Sequence, residues 1–189
     1  MSSNNYREYS NKRYSEILPR MIFETPLWHL KKELPNGVYE WALEYEKNNK
    51  GRVKSNNGGY QSKPFHIKDI PFGKHICECI SFLPDHRFMD GWLNINRNTD
   101  YNDYHDHPVT DLTFIWFITD NNGELKIRNP HGFSRHKMYV GLMGEPYGGM
   151  VPKCTAGDML LFPADVQHGV SPTNKPEPRI SISFNIDFK

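Results

Sequence analysis

The 189-residue chain is poor in the features that mark secreted and membrane proteins. Its only cysteines are Cys77, Cys79 and Cys154, too few for a disulfide framework and typical of a reducing compartment. No apolar run approaches the ~18 residues that a membrane-spanning helix requires, and the polar N-terminus lacks the apolar segment of a signal peptide. We therefore expect a cytoplasmic protein with no membrane partner.

Charge of either sign is nearly balanced, because 23 lysines and arginines face 22 aspartates and glutamates. The resulting net charge of +1 argues against a nucleic-acid partner. Apolar residues make up 37% and aromatic residues 13%, which indicates a globular chain with a real core. We predict a polar arm at residues 1–20 and one domain at residues 21–189. The sequence does not indicate an oligomeric state.

The first half of the chain carries two amphipathic helix patterns and one short strand pattern, at residues 21–23. The apolar residues at helical spacing are Val38, Trp41, Ala42 and Tyr45, then Phe72, Ile76, Ile80 and Leu83. Asn36 can cap the first helix, Gly51 can end it, and Pro71 opens the second. We interpret both as structural helices that pack on a sheet.

From Gly91 onward the periodicity of the sequence changes to two. The segment WLNIN puts Trp92, Asn94 and Asn96 on one face, which points either into a cleft or to solvent. The β-prone run DLTFIWFITD follows, and Asn121-Asn122-Gly123 predicts a hairpin turn into residues 124–128. Short strands without βαβ alternation predict a mainly β (α+β) fold, an antiparallel sandwich or barrel with the helices packed outside.

Three histidines in this half could meet at one point. His105 and His107 are two residues apart in an extended segment, and His168 could reach the same point from an adjacent strand. Two ligands from one strand and a third from another are typical of open transition-metal sites. Taken alone, each histidine would more often be a surface or hydrogen-bonded residue. We interpret His131 and His136, in a glycine-containing loop, as surface or substrate-lip residues.

The last strand predicts an anion site. Arg179 and Ser181 are two residues apart and therefore share a face. A guanidinium offers a planar fork of donors and the hydroxyl adds another, a combination that suits a carboxylate.

These elements resemble the 2-oxoglutarate/Fe(II)-dependent oxygenases of the double-stranded β-helix (jelly-roll, cupin-like) fold, and most closely a branch of largely uncharacterised bacterial and phage-type oxygenases. The matching pieces run from about residue 21 to the C-terminus: IFETPLW, SNNGGYQS, WLNIN, HDHP, GEL and GDMLLFP…H…RISISFN. In the wider family an H-x-D/E element is followed by a distal histidine and, about ten residues later, by R-x-S. Here Arg179 follows His168 by eleven residues and Ser181 completes R-x-S.

The chain departs from the family pattern at the third position of the H-x-D/E element, which is His107 rather than a carboxylate. Either this branch uses His105, His107 and His168, or a nearby carboxylate, Asp106 or Asp103, completes the set. Alternation along a strand puts Asp106 on the opposite side from His105, which favours His107. A bulge in the segment would make Asp106 possible.

The resemblance implies an oxygenase that uses Fe(II), 2-oxoglutarate and O2 to hydroxylate an unactivated C–H bond, releasing succinate and CO2. Arg179 and Ser181 would hold the far carboxylate of 2-oxoglutarate, and Asn94 would bond its chelating end or the third metal ligand. The implied substrate-pocket residues are Trp92, Asn96 and Trp116. The substrate would be a protein side chain, such as a prolyl residue, or a small molecule. The alternatives are a cupin-like metalloenzyme that does not use 2-oxoglutarate and a non-catalytic jelly-roll binding module.

Overall fold

The computed structural model describes residues 25–130, 149–173 and 175–189. The predicted arm at residues 1–20, the predicted strand at residues 21–23, and the loop histidines His131 and His136 lie outside the described residues. Two α-helices occur in the described ranges, α1 (Val38–Asn48) and α2 (Gly73–Cys79), with a 3-10 turn at Ile67–Asp69. Neither helix is long and apolar enough to cross a membrane.

The strands are short except for two. They are β1 (Trp28–Leu30), β2 (Asn56–Asn57), β3 (Tyr60–Gln61), β4 (His86–Asn96), β5 (Tyr101–His105), β6 (Leu112–Phe117), β7 (Asn121–Asn122), β8 (Leu125–Arg128), β9 (Gly149–Met150), β10 (Lys153–Cys154), β11 (Met159–Pro163), β12 (His168–Val170) and β13 (Arg179–Phe188).

These strands form two main antiparallel sheets. The six-stranded sheet has the order β1-β11-β6-β13-β4-β3, and the five-stranded sheet has the order β2-β5-β12-β8-β9. A two-stranded ribbon, β10-β7, accompanies them. The predicted mainly β, antiparallel architecture is therefore confirmed, and the helices pack on the outer face of the six-stranded sheet.

Two hydrophobic clusters lie on opposite faces of the six-stranded sheet. On the outer face, alternate residues such as Leu93, Trp116 and Ile182 pack against Val38 and Ile76 of the helices. On the inner face, residues such as Ile115, Phe117 and Leu160 pack against Leu125 and Ile127 of the five-stranded sheet. Because successive side chains of a strand alternate in direction, a single strand contributes to both clusters.

The helices begin and end differently from the prediction. Gly37, with a φ of 84°, precedes α1, and no side chain caps the first turn, so Asn36 is not the cap. The helix ends at Asn48, because Asn49 already has extended backbone, and it does not reach Gly51. Helix α2 stops at Cys79, and Ile80 reaches the core from the turn that follows it.

The predicted hairpin at Asn121-Asn122-Gly123 is wrong. Strand β6 pairs with β11 and β13, whereas β8 pairs with β12 and β9 in the other sheet. Asn121 and Asn122 pair with Cys154 and Lys153 of β10 instead. The turn, in which Gly123 has a φ of 110°, therefore carries the chain from one sheet to the other.

We expect Gly91→Ala to destabilise the fold, because Gly91 lies opposite Phe184 in the β4–β13 pairing. A Cβ at this position would lie 2.1 Å from Cε1 of the fully buried Phe184 ring. Overpacking of this kind costs about 1–3 kcal/mol of the free energy of unfolding. Urea denaturation measures this loss, and Val53→Ala, at a surface position, should change stability by less than ~0.5 kcal/mol. Equal stability of the Gly91→Ala protein would contradict this packing.

Candidate metal and co-substrate site

The three predicted histidines converge at the adjoining ends of β5 and β12, two inner strands of the five-stranded sheet. His105, the last residue of β5, lies directly opposite His168, the first residue of β12. His107 follows two residues later, and its backbone N–H donates to the carbonyl oxygen of Ala164 at 2.8 Å. The ring centroids are 4.5 Å apart for His105 and His168, 5.1 Å for His105 and His107, and 5.3 Å for His107 and His168. One ring nitrogen from each residue lies within 4.8 Å of the other two.

Backbone carbonyl groups fix the tautomers of two of these rings. Nδ1 of His105 lies 2.7 Å from the carbonyl oxygen of Asp103, and Nδ1 of His168 lies 3.0 Å from that of Val166. A carbonyl oxygen can only accept, so each Nδ1 carries the proton and donates it. In a neutral ring with a protonated Nδ1, Nε2 is unprotonated and carries a free lone pair. This backbone support is the arrangement that orients metal-ligating histidines.

The environment keeps His107 and His168 neutral. Burial, followed by the neighbouring His105, lowers the pKa of His107 to about 4 and the pKa of His168 to about 3. Nε2 of His107 is buried without a hydrogen-bond partner, and its ring packs on Trp92 with centroids 5.4 Å apart. A neutral imidazole with an unused lone pair is the form in which histidine binds a metal ion.

The alternative carboxylates are not part of this cluster. Asp106 is exposed, and the group of converging ligand atoms consists of the three histidines. Asp103 is also exposed, and its carboxylate accepts a hydrogen bond from Nδ2 of Asn57 at 2.7 Å. The geometry therefore favours His107 over Asp106 as the third ligand.

A cavity between the sheets connects the histidines to the predicted anion site. Its lining includes His105 and His168 on one side and Arg179 and Ser181 on the other. Arg179 is 3% exposed and Ser181 is 2% exposed. Nη1 of Arg179 donates to Oγ of Ser181 at 3.3 Å, so the two side chains share a face of β13.

The charge of Arg179 is buried with no carboxylate in ion-pair contact, although the buried Glu124 carboxylate acts on it from a longer distance. Burial lowers its pKa to about 10, so the guanidinium is still a cation at neutral pH. In the described part of the chain, no carboxylate forms an ion pair with it. The carboxylate of Glu124 is bonded to the backbone N–H of Asn122 at 2.7 Å and faces Lys175 at 3.8 Å. Since a buried charge is costly unless it is paired, this arrangement favours an anionic ligand.

Asn121 holds Arg179 in place, a role that the sequence did not reveal. Oδ1 of this fully buried residue accepts from Nε of Arg179 at 3.1 Å and from the backbone N–H of Leu125 at 3.0 Å. Its Nδ2 donates to the carbonyl oxygen of Pro152 at 2.7 Å. The Asn-Asn-Gly composition is that of an ordinary turn, and no periodic signal marks a buried polar residue within it.

If Arg179 binds 2-oxoglutarate, as the family resemblance implies, Asn121→Ala should raise the 2-oxoglutarate requirement about tenfold, because a hydrogen bond to a charged group contributes roughly 1.5–3 kcal/mol. Asn121 would act only by positioning Arg179, so the affinity for Fe(II) should stay unchanged. The concentration dependence of 2-oxoglutarate turnover and metal titration measure the two effects. Asn122→Ala, at the exposed neighbouring position, is the matched control. An unchanged 2-oxoglutarate requirement in a folded Asn121→Ala protein would show that Arg179 does not need this support.

Polar residues of β4 and β3 form the floor of the same cavity. Asn94, opposite Ser181, donates to Oγ of Ser183 at 3.4 Å and leaves its Oδ1 buried without a partner. Gln61, opposite Asn94, also lines the cavity and has an unpartnered Oε1. Gln61 could not be singled out in advance, because the segment SNNGGYQS has only the composition of a turn. These free carbonyl oxygens accept hydrogen bonds and are available to a ligand.

Two of the three predicted substrate-pocket residues lie at or beside the cavity. Trp92 lines it. Asn96 pairs with Arg179 across the strands but is not part of the cavity lining. Its Nδ2 donates to Oδ1 of Asn102 at 3.0 Å. Asn102 itself is part of the lining.

The expectation for Trp116 needs correction. Its ring is fully buried on the outer face, beside Phe72 and His75, and its Nε1 donates to the carbonyl oxygen of Gly157 at 3.1 Å. The neighbouring Ile115 lines the cavity instead. Both faces of β6 are buried, and its one polar residue, Thr113, which shares a face with Ile115, is too weak a signal to show which face points inward.

The donor set fits both a transition-metal ion and a dicarboxylate. Three imidazoles that converge from β5, the segment after it and β12 suit a divalent ion such as Fe(II), and they leave coordination positions open. The unpaired guanidinium beside a hydroxyl suits a carboxylate. Both groups face one cavity, so a single small molecule could contact the metal and Arg179 together.

Similar folds occur among solved structures, some of which bind or depend on 2-oxoglutarate (α-ketoglutarate). The chain superposes on SnoN, the non-heme α-ketoglutarate-dependent epimerase from nogalamycin biosynthesis, with a TM-score of 0.64, 12% identity and coverage of 86% of this chain and 77% of that one. HygX from Streptomyces hygroscopicus, with nickel, 2-oxoglutarate and hygromycin B bound, superposes with a TM-score of 0.61 and 11% identity, over 87% of this chain and 84% of that one. A Pseudomonas putida prolyl-4-hydroxylase superposes with a TM-score of 0.57 and 11% identity, over 86% of this chain and 92% of that one. At these identities the likeness concerns the fold, and the predicted jelly roll is confirmed.

A family profile adds a match in sequence. No curated protein matches the chain. The profile described as "Putative 2OG-Fe(II) oxygenase" matches residues 90–185, just over half of the chain. The matched part contains the three histidines, Arg179 and Ser181. This protein therefore belongs to the 2OG-Fe(II) oxygenase family, whose members are enzymes that use Fe(II), 2-oxoglutarate and O2.

Proposed function

We propose that the protein is a hydroxylase in which His105, His107 and His168 hold Fe(II) through their Nε2 atoms. Arg179 and Ser181 bind the far carboxylate of 2-oxoglutarate, and Asn94 bonds its metal-binding end. The observation that carries this proposal is the cavity that His105 and His168 of the histidine cluster share with the buried guanidinium of Arg179, which has no ion-pairing carboxylate among the described residues. A ligand that contacts both the histidine cluster and Arg179 would account for their presence in one cavity.

The role of the protein is to position the reactants and to keep water away. When bound, Fe(II) would supply the oxidising chemistry, in which one atom of O2 enters a substrate C–H bond as a hydroxyl group and the other enters succinate as 2-oxoglutarate loses CO2. The backbone-bonded Nδ1 atoms of His105 and His168 keep both rings aimed at one point. The fork of Arg179 sets the direction of the co-substrate, because two charge-assisted bonds are worth roughly 1.5–3 kcal/mol each.

The family membership favours this function over a cupin-like metalloenzyme that does not use 2-oxoglutarate. A third histidine in place of a carboxylate would also suit such an enzyme. A cupin-like metalloenzyme of that kind, however, has no use for a buried, unpaired Arg179 facing the same cavity. A non-catalytic binding module would need neither the histidine cluster nor the guanidinium.

Anaerobic titration with Fe(II) and then with 2-oxoglutarate tests the proposal before any substrate is known. Chelation of the keto acid by the metal should produce a weak visible metal-to-ligand charge-transfer band. Without 2-oxoglutarate, Fe(II) alone should give none. If Fe(II) binds but 2-oxoglutarate produces no band, the co-substrate assignment is wrong. If Fe(II) does not bind, the histidine cluster is not the metal site.

We propose a protein side chain, with a prolyl residue as the first candidate, as the substrate, and a small molecule as the second. The prolyl-4-hydroxylase has the fold of this chain over 92% of its own length, whereas the HygX structure holds a small molecule, hygromycin B. Succinate release should rise above the substrate-free rate when a proline-rich peptide is added. Alanine-substituted peptides are the control. An equal rate with both peptides would leave the small-molecule class as the proposal.

A further inference from the structure

A second group of ligand-type side chains lies at the edge of the six-stranded sheet, where β1 pairs with β11. His29 is the central residue of β1 and pairs with Leu160. Cys154 ends β10, and Asp158 immediately precedes β11. Nε2 or Nδ1 of His29, Sγ of Cys154 and a carboxylate oxygen of Asp158 all lie within 4.8 Å of one another. None of these residues is among the proposed ligands of Fe(II) or 2-oxoglutarate.

Each of the three side chains is held by its own element. Oδ2 of Asp158 accepts from the backbone N–H of Thr155 at 3.0 Å and lies 3.0 Å from Nε2 of His29. Cys154 is 4% exposed and belongs to the inner cluster with Phe117 and Leu160. Asp158 is 2% exposed, whereas His29 lies at the surface and gives the cluster an opening to solvent.

We propose that His29, Cys154 and Asp158 form a site for a divalent metal ion of the zinc type. Imidazole, thiolate and carboxylate are the three ligand types that zinc takes, and three protein ligands leave the fourth tetrahedral position for water. Here that position would face the opening beside His29. The sequence did not predict this site, because the ligands are spread over 130 residues, from His29 to Asp158.

Charge balance supports a divalent ion. A thiolate and a carboxylate supply two negative charges, so the occupied site is neutral and suits its buried surroundings. Binding must release the thiol proton, since the thiolate is the ligand.

The position of the site indicates a structural role. Cys154 pairs with Asn121 in the β10–β7 ribbon, and Asn121 bonds Nε of Arg179 at 3.1 Å. A metal ion on Cys154 would fix the ribbon to β1 and to the start of β11. It would thereby also hold Asn121, the residue that supports Arg179, in position.

Cobalt(II) is a suitable probe because thiolate ligation gives strong near-ultraviolet charge-transfer absorption, which histidine ligands do not give. The full chain, stripped of metal with a chelator and kept anaerobic, should show this band on titration. The band should persist in His168→Ala, which removes the histidine cluster, and disappear in Cys154→Ser. Cys79→Ser should retain it. This control is needed because Sγ of Cys79 lies 3.7 Å from Nε2 of His75 and is a second candidate thiolate.

His29→Ala provides an independent reading, since it removes a surface ligand without disturbing the core. It should weaken the cobalt binding reported by the near-ultraviolet band at least about tenfold, because loss of even an outer-shell partner costs about 10–100-fold. Absence of the band in wild type overturns the proposal. So does a band that survives Cys154→Ser, or one whose affinity is unchanged in His29→Ala. The oxygenase proposal would stand in each of these cases, because its band depends on Fe(II) and 2-oxoglutarate.

Discussion

His168→Ala should abolish Fe(II) binding and, with it, all 2-oxoglutarate turnover. The imidazole is 5% exposed, lies between β5 and β8, and has its Nδ1 fixed on the carbonyl oxygen of Val166. No other side chain of the described chain joins the three-histidine cluster to replace it. We expect the affinity for Fe(II) to fall by more than about 100-fold, since loss of an outer-shell partner alone costs about 10–100-fold. Anaerobic metal titration measures the change directly.

The same titration decides the identity of the third ligand. His107→Ala should lose Fe(II) as His168→Ala does, because its buried Nε2 has no other partner. Asp106→Ala is the matched control, as its exposed carboxylate lies beside His107 in sequence but outside the cluster. Full Fe(II) binding by His107→Ala together with its loss in Asp106→Ala would reverse the assignment. Retention of Fe(II) by His168→Ala would show that the histidine cluster is not the metal site.

Arg179→Ala should raise the 2-oxoglutarate requirement by about 30-fold or more while leaving Fe(II) binding intact. Loss of one partner of a buried charge pair costs about 2–5 kcal/mol, and each ~1.4 kcal/mol is tenfold. Ser181→Ala removes a single neutral donor, so it should cost only about 0.5–1.5 kcal/mol. Arg179→Lys should fall between the two, because an ammonium keeps the charge but not the planar fork. Titration of the charge-transfer band with 2-oxoglutarate gives all three values.

A stability measurement separates the binding role of Arg179 from a merely structural one. Without a ligand the guanidinium is a buried cation with no ion-pairing carboxylate among the described residues. Arg179→Met should therefore leave the ligand-free protein as stable as wild type or more stable. Added 2-oxoglutarate should raise the melting temperature of the wild-type protein with Fe(II) by mass action, and it should not raise that of the variant. A strongly destabilised Arg179→Met protein would indicate a structural role.

Local patterns were sufficient to predict what depends on strand geometry. The i, i+2 spacing placed Arg179 beside Ser181 on one face, because side chains alternate along any strand. The same rule put Trp92, Asn94 and Asn96 together, on the face that meets the cavity. The convergence of His168 with His105 needed the additional assumption that their strands are neighbours, and β5–β12 pairing supplies it.

Features that depend on which sheet a strand joins could not be predicted in this way. Asn121-Asn122-Gly123 has the composition of a hairpin turn, but the next strand enters the other sheet. The polar function of Asn121 became visible only with the three-dimensional contacts around Arg179. Trp116 and Ile115 are both buried, so hydrophobicity could not show which of them faces the cavity.

The site is built from strands of very different length. His105 and His168 lie on β5 and β12, which have 5 and 3 residues, whereas Arg179 and Asn94 lie on β13 and β4, with 10 and 11. The free energy of local opening rises with the number of buried contacts and ladder hydrogen bonds that must break together. Amide hydrogens of β4 and β13 therefore exchange with solvent mainly through global unfolding, and those of β5 and β12 through smaller openings. On the proposed function, the co-substrate side of the cavity would be a preformed surface, and Fe(II) bound to the histidines would stabilise the metal side by mass action.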